Sequence, residues 1–388
     1  MRERSWKSFR ILNKNVLNSP KQNVAIIIPG GIGTGRNNIG VPVLERIIRL
    51  LALEFEVTVF QLYPVNENFQ VTGFELVPIY SGNPLLKCWK LFLAFRTRNR
   101  QKKFSVIHGF WAMPNGFMAV LLGKIFKSKS IVSVLGGDAI ALPDINYGQL
   151  LNPLYRKLIF WTLRHAEEVN VLTSYLIRNL KKAGFERKDI KIIPWGVDTA
   201  AFSFREKAVG SPVKFLHVAN LHPVKDQATM LRAFKIIHSK VSSQLVMIGE
   251  GDHEIRIKKL ISDLGLQHAV TMLGLLPYED LPHHYSTADV LLQTSLSEGQ
   301  SEVVTEAMSC GVLVCGTQVG LMYDLPDCCV AVPVGDAERL GDEVVALLAA
   351  PERMAAIRAR AKTWASAHSL RWTVDQIKLL YKTSGHQA

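Results

Sequence analysis

Glu298 and Glu306 are separated by seven residues in the stretch SLSEGQSEVVTEAMSCGVLVCG, Ser295–Gly316. The pattern predicts a loop over Ser297–Ser301, a helix from about Glu302 to Ser309 with Gly311 as its stop, and a buried strand beyond. Glu298 then sits at the carboxyl end of a strand and Glu306 two turns into the helix. The amides of Ser301, Glu302, Val303 and Val304 open that helix, and a helix N-terminus favours an anion by about 0.3–2 kcal/mol. A carboxylate on such a helix can accept both hydroxyls of a ribose. Two glutamates at this spacing also arise by chance on a solvated helix. The whole context, strand–SEG–helix–EAMSCG–strand, argues against chance.

Other residues could do chemistry with less support. Pro29–Gly35, PGGIGTG, is a glycine-rich turn between a strand and a helix, where Gly31 and Gly33 would let backbone approach a phosphate or sugar. His108 ends the run VIH, and a lone histidine there reads more often as a hydrogen-bonded core residue. His283 and His284 are adjacent, so their side chains diverge on a helix, and no second ligand pair lies at metal spacing; no metal site is expected. Cys88, Cys310, Cys315, Cys328 and Cys329 form no CxxC, which speaks against a disulfide framework and for a reducing compartment.

These residues need elements to hold them. Short β-branched runs alternate with helical spacings: Val24–Ile28, Val57–Leu62, Glu75–Ile79, Ser105–His108, Ser130–Leu135 and Val169–Leu172, closing with Ile190–Asp198. A second series runs through Lys214–Ala219, Gln244–Ile248, Ala269–Leu273, Asp289–Gln293, Val312–Gly316 and Val330–Pro333, and the chain is helical after Asp336. Two such alternations predict an α/β protein of two doubly wound Rossmann-like domains facing a central cleft, with ligands outside the carboxyl ends of the strands. The expected divisions are a basic tail over 1–22, a first domain over 23–198, a linker over 199–212, a second domain over 213–365, and a C-terminal helix over 366–388 returning to the first domain.

The net charge of +13 divides unevenly. Met1–Lys207 holds 30 Lys+Arg against 14 Asp+Glu, and the remainder holds 16 against 19. A basic front half suits an anionic partner, whether nucleic acid, an acidic membrane or a phosphorylated substrate. No apolar run reaches the roughly 18 residues of a membrane span, and the N-terminus lacks a secretory apolar core. The expected setting is cytoplasmic, peripheral on the inner face of a membrane. Pro84–Lys103, PLLKCWKLFLAFRTRNRQKK, has the apolar, aromatic and cationic make-up of an interfacial helix.

The chain resembles the retaining GT-B glycosyltransferases, and within them glycosyltransferase family 4. Glu298, Glu306 and the EAMSCG stretch carry the resemblance, with VIHGFWAMPNG, SVLGGD, IPWGVD, FLHVANLHPVKD and GLLPYEDLPHHYSTADVLLQTS elsewhere. The resemblance implies a nucleotide-diphosphate sugar as donor substrate, held mainly by the second domain. It implies a carbohydrate or lipid-linked acceptor at the first domain, and no cofactor or metal ion. Lys225, in ANLHPVKDQ, would meet the donor diphosphate, and Asn220 stands where the family usually has an arginine. Glu306 would hold the ribose, and Glu298 would lie near the sugar. Many members have a histidine or arginine early in the SVLGGD turn; here Leu135 and Gly136 stand there. Asp138 is left to orient or deprotonate the acceptor hydroxyl, or else to cap the segment after it. The rival readings are a GT-B sugar-nucleotide epimerase and a basic nucleic-acid-binding protein. No nucleic-acid motif is present, so no nucleic acid is expected as partner.

Overall fold

The computed structural model of this 388-residue chain describes residues 21–35, 40–206 and 208–382. Most of the expected basic tail, residues 36–39 just after the glycine-rich turn, residue 207 in the expected linker and the last six residues lie outside them.

Two parallel sheets form. The first contains β1 (Asn23–Ile28), β2 (Glu56–Gln61), β3 (Glu75–Pro78), β4 (Val106–Phe110), β5 (Lys129–Val134), β6 (Glu168–Val171) and β7 (Lys191–Ile192). Its order is β3-β2-β1-β4-β5-β6-β7. The second contains β8 (Val213–Val218), β9 (Ser243–Ile248), β10 (Val270–Gly274), β11 (Val290–Gln293), β12 (Leu313–Thr317) and β13 (Val330–Val332), ordered β10-β9-β8-β11-β12-β13. The central strand β1, NVAIII, is buried at every position. That is what a strand covered by helices on both faces requires. Val24 pairs with Val57 on one side and Val106 on the other, which fixes the register at the centre. Each sheet reverses its strand order once, between β1 and β4 and between β8 and β11. Those reversals are the crevices where doubly wound sheets bind ligands.

The predicted strand Ile190–Asp198 is shorter than its sequence suggests: only Lys191–Ile192 pairs, at the sheet edge. Pro194 has no N–H to give a ladder, and from there the chain leaves for the second domain. It returns beside itself. Leu370 N–H donates to Val197 O at 2.9 Å, and Gly196 N–H donates to Thr373 Oγ1 at 2.7 Å. A Cβ on Gly196 would run into the Ser369 carbonyl, so only glycine permits this approach.

The helix Pro351–Ala367 packs on the second domain through Met354, Ile357, Ala361 and Ala365. The next helix, Leu370–Tyr381, belongs to the first-domain core, where Val374, Ile377 and Leu380 join Ile47, Leu51 and Val106. Its last residue closes a buried polar chain. Ser133 Oγ donates to Asn170 Oδ1 at 2.7 Å, so it accepts from His108 Nε2, also at 2.7 Å. His108 Nδ1 is then free to accept from the Tyr381 hydroxyl at 3.0 Å. This fixes His108 as a neutral core residue, and burial pulls its pKa down to about 3.

Candidate active site

The second sheet reverses between β8 and β11, and both strands end in residues that converge. After β8 the chain turns through Asn220 and His222 into a short 3-10 turn, Pro223–Lys225. After β11 it enters the Ser297–Ser301 loop. Lys225 Nζ meets Glu298 Oε1 at 2.6 Å, with the two side chains 23% and 11% exposed, so the pair is sheltered yet open on one side. Glu298 Oε1 also accepts from Ser295 Oγ at 2.6 Å and from Gln293 Nε2 at 3.0 Å. Asn220 is exposed and its carbonyl accepts from Gln227 Nε2 at 3.0 Å. His217, beneath them, donates through Nδ1 to Leu292 O at 2.8 Å, and burial lowers its pKa to about 4. A neutral histidine there leaves Lys225 as the cation of this corner.

The helix Glu302–Ser309 forms over the span its pattern predicts. Ser301 ahead of it adopts φ +77°, a conformation disfavoured for a residue with a side chain. Gln293 Nε2, 3.2 Å from Ser301 Oγ, helps to hold it. The amides of Glu302 and Val303 have no backbone acceptor among the described residues, as expected at a helix start. Glu306 is 4% exposed, and its oxygens accept from Tyr278 and Tyr285 hydroxyls, each at 2.8 Å. Burial raises its pKa, while the two hydroxyls and the Arg46 charge work the other way. Each carboxylate oxygen has a second lone pair, so hydroxyls beyond the two tyrosines can still be accepted. Glu302 has its carboxyl group enclosed near Glu306, and burial together with that negative charge pushes its pKa up to about 8. A cavity of about 10 Å³, the room of one water, lies between Glu302, Glu306, Tyr278, Arg46 and Asp198. Arg46 bridges the domains there: its guanidinium lies 4.6 Å from the Tyr278 ring centroid and 3.2 Å from Asp198.

The first domain closes over the Glu298 loop. Thr173 Oγ1 donates to Gly299 O at 2.7 Å, and a Cβ on Gly299 would run into the Leu135 carbonyl. Gln300 forms a two-way amide pair with Trp195, at 2.7 Å from the Trp195 N–H and 2.6 Å to its carbonyl. Asp324 reaches from the second domain to the start of the first-domain helix Ser174–Lys182, accepting from Ser174 N–H at 2.7 Å and Ser174 Oγ at 2.6 Å.

Asp138 does not stand free in the cleft. It is wholly buried, and its carboxylate accepts from three backbone amides: Ala112 at 2.8 Å, Gly136 at 2.9 Å and Leu135 at 3.1 Å. It joins the turns after β4 and β5, which is the capping alternative of the two roles expected of it. Gly31 and Gly33 do need their glycines, with φ of +110° and +58°. Their loop is folded on itself: Gly31 N–H donates to Thr34 Oγ1 at 3.2 Å and Ile32 N–H to Gln61 Oε1 at 3.1 Å. The amides of Gly31 and Ile32 are thus engaged within the first domain.

Tyr147 carries no motif that marks it in the sequence. It belongs to the irregular segment after β5 and walls a first-domain recess of about 550 Å³. Its ring centroid lies 5.7 Å from that of His222, and burial and the Glu298 charge raise its pKa. The recess therefore adjoins the Lys225–Glu298 corner. The only local cue was an aromatic residue before Gly148, which has φ +107°.

Two family descriptions match the chain: Glycosyltransferase Family 4 over residues 40–201 and Glycosyl transferases group 1 over residues 198–364. The N-acetyl-alpha-D-glucosaminyl L-malate synthase of Bacillus anthracis is 24% identical over 261 residues, 64% of this chain and 66% of that protein. The GDP-mannose-dependent alpha-(1-6)-phosphatidylinositol monomannoside mannosyltransferase of Mycolicibacterium smegmatis is 26% identical over 242 residues, 57% of this chain and 63% of that one. The match thus spans just under two thirds of these relatives. Among solved structures, sucrose-phosphate synthase from Thermosynechococcus elongatus superposes with TM-score 0.78 at 19% identity, covering 93% of this chain and 98% of that one. Anabaena HepE in complex with UDP and glucose superposes with TM-score 0.72 at 16% identity, covering 92% and 98%. These structures share the two-domain GT-B fold.

Proposed function

We propose that this chain, which matches Glycosyltransferase Family 4 in its first domain and Glycosyl transferases group 1 in its second, moves a sugar from a nucleotide-diphosphate sugar to an acceptor hydroxyl with retention of configuration, in glycolipid or polysaccharide biosynthesis. One observation carries the reading. Lys225, paired with Glu298, and the amides of Glu302 and Val303, which have no backbone acceptor among the described residues, meet at the strand-order reversal of the second sheet, facing the first domain. That is a counter-charge for a departing diphosphate next to a carboxylate for sugar hydroxyls. The HepE structure with UDP and glucose, and the GDP-mannose dependence in the mannosyltransferase's name, support a nucleotide-linked donor.

In this mechanism Glu306 and its two tyrosines hold the ribose, and the diphosphate lies between Lys225 and the helix amides. Glu298 keeps Lys225 aimed and accepts sugar hydroxyls. The bond from the anomeric carbon to the diphosphate oxygen breaks, and the acceptor oxygen bonds that carbon on the same face. The acceptor proton passes to the departing phosphate oxygen. Lys225 and the amides balance the diphosphate charge, so turnover is expected to persist in chelator. Domain closure through Gly299, Gln300 and Asp324 keeps water from the donor.

The test is calorimetry of UDP, GDP and ADP on the whole chain, then NMR of the product's anomeric configuration. One nucleotide should bind, and the product should keep the donor's configuration. No binding of any nucleotide would sink the reading.

The acceptor side of this reading includes an anionic membrane surface. On the helix Pro84–Gln101, Leu91 and Phe95 face the core, while Leu85 is 82% and Trp89 56% exposed beside Lys87 and Lys90. Apolar bulk beside cations suits a lipid interface. Among the described residues no helix is long and apolar enough to cross a membrane.

A further inference from the structure

The first-domain recess has a lining at odds with the basic half that contains it. Trp111, Tyr147 and Tyr155 supply rings, and Asn146, Gln149 and Asn152 supply amides. Among the described residues that line it there is no lysine or arginine. Its one acid, Asp138, has its carboxylate committed to backbone amides. Up to Lys207 the sequence holds 30 Lys+Arg, so cations were at hand and are not used here. A phosphate or carboxylate placed in this recess would lose water and gain no counter-charge. A neutral polyhydroxylated ring loses little: its C–H face lies on an aromatic ring and its hydroxyls meet amides. One amide is already waiting. Gln149 Nε2 donates to Met113 O at 3.1 Å, while its Oε1 is buried without a partner, and a buried acceptor of that kind calls for a donor.

We propose that this recess is the acceptor subsite and takes a neutral glycosyl unit, with Gln149 Oε1 accepting one of its hydroxyls and Tyr147 positioning the ring toward the Lys225–Glu298 pair. The proposal rests on the transferase reading and narrows its acceptor to an uncharged sugar terminus. Tyr147 qualifies by place: it walls the recess, and its ring neighbours His222, three residues ahead of Lys225.

Saturation-transfer NMR on the full chain tests this with methyl glycosides of glucose, galactose, mannose and N-acetylglucosamine, beside glucose 6-phosphate and methyl glucuronide. At least one neutral glycoside should bind, and the charged sugars should not. Gln149→Leu and Tyr147→Ala should each weaken that binding by roughly tenfold, the scale of one lost hydrogen bond or ring contact, with nucleotide affinity unchanged. With the donor identified, Tyr147→Phe keeps the ring and the fold and should lower kcat while leaving the donor KM in place. Charged sugars binding as well as neutral ones, no binding by any glycoside, or unaltered binding in both truncating variants would overturn the proposal. Loss of nucleotide binding in the wild type refutes the transferase reading instead, and the two failures are read from separate titrations.

Discussion

Glu298 and Lys225 are 73 residues apart in sequence and 2.6 Å apart in space, so each is expected to depend on the other. Lys225→Ala removes a charge-assisted contact to the diphosphate and should weaken nucleotide binding by about 1.5–3 kcal/mol. Glu306→Ala should do the same through the ribose, whereas Glu298→Gln should chiefly lower turnover; calorimetry and initial rates separate them. Unchanged affinity in Glu306→Ala would remove the ribose assignment. Glu302 gives a pH signature. Its carboxyl is pushed up to about 8 in the fold from an ordinary 4.5. Between those values the folded chain keeps a proton that the unfolded chain has released, so this group's contribution to stability falls as pH rises through the window. Glu302→Gln should raise Tm more at about pH 9 than at about pH 5, and equal gains at both would contradict the shift. Asp138→Ala strands three amides and should cost several kcal/mol, at roughly 1–3 kcal/mol for each unpaired group, read as a fall in urea midpoint. The pair Glu298–Glu306 was legible because its spacing and the small residues after it are local facts. The surroundings of Asp138 were not: one of its partners, Ala112, lies 26 residues earlier, on a turn that only sheet pairing brings near.

At the level of elements, period and punctuation gave most of the strands to within a residue or two, because a strand buried on both faces leaves a run of Val and Ile that nothing else explains. The helix Glu302–Ser309 was readable for a similar reason, bounded by a polar loop and by Gly311. The irregular segment between β5 and the helix Pro153–His165 was opaque. Its short turns, Gly137–Ala139, Pro143–Ile145 and Gln149–Leu151, have no period, and the first and last of them help to wall the recess. The helix Pro84–Gln101 carries its own prediction. On and just past it, Arg98 is already engaged with Glu75 at 2.7 Å and Lys102 with Glu56, while Arg96, Arg100 and Lys103 are exposed. Each basic group near an anionic surface contributes about 1 kcal/mol. The chain should co-sediment with anionic vesicles, less so as salt rises, and less again when Arg96, Arg100 and Lys103 become Gln or Trp89 becomes Ala. Equal sedimentation with neutral vesicles, or none with either, would remove the membrane surface from the proposed function.

Among the described residues the two domains meet through Thr173–Gly299, Trp195–Gln300, Arg46–Tyr278 and Ser174–Asp324, and Asp324 is the one most open to test. It caps a helix of the opposite domain, a contact worth about 0.5–2 kcal/mol. Asp324→Ala should expand the molecule in small-angle scattering and raise donor hydrolysis relative to transfer, because a looser cleft admits water; an unchanged ratio would mean that the other contacts suffice. The return of the Leu370–Tyr381 helix to the first sheet has a different consequence, for synthesis on the ribosome. When the chain has been made as far as Asp198, the first sheet has all its strands but lacks the helix that covers Ile47, Leu51 and His108. Translation at roughly 5–20 residues per second leaves that apolar seat empty for tens of seconds while the second domain is made. A nascent first domain in that interval should need a chaperone to keep it from aggregating, and released fragments ending near Asp198 should aggregate unless the missing helix is supplied as a separate peptide.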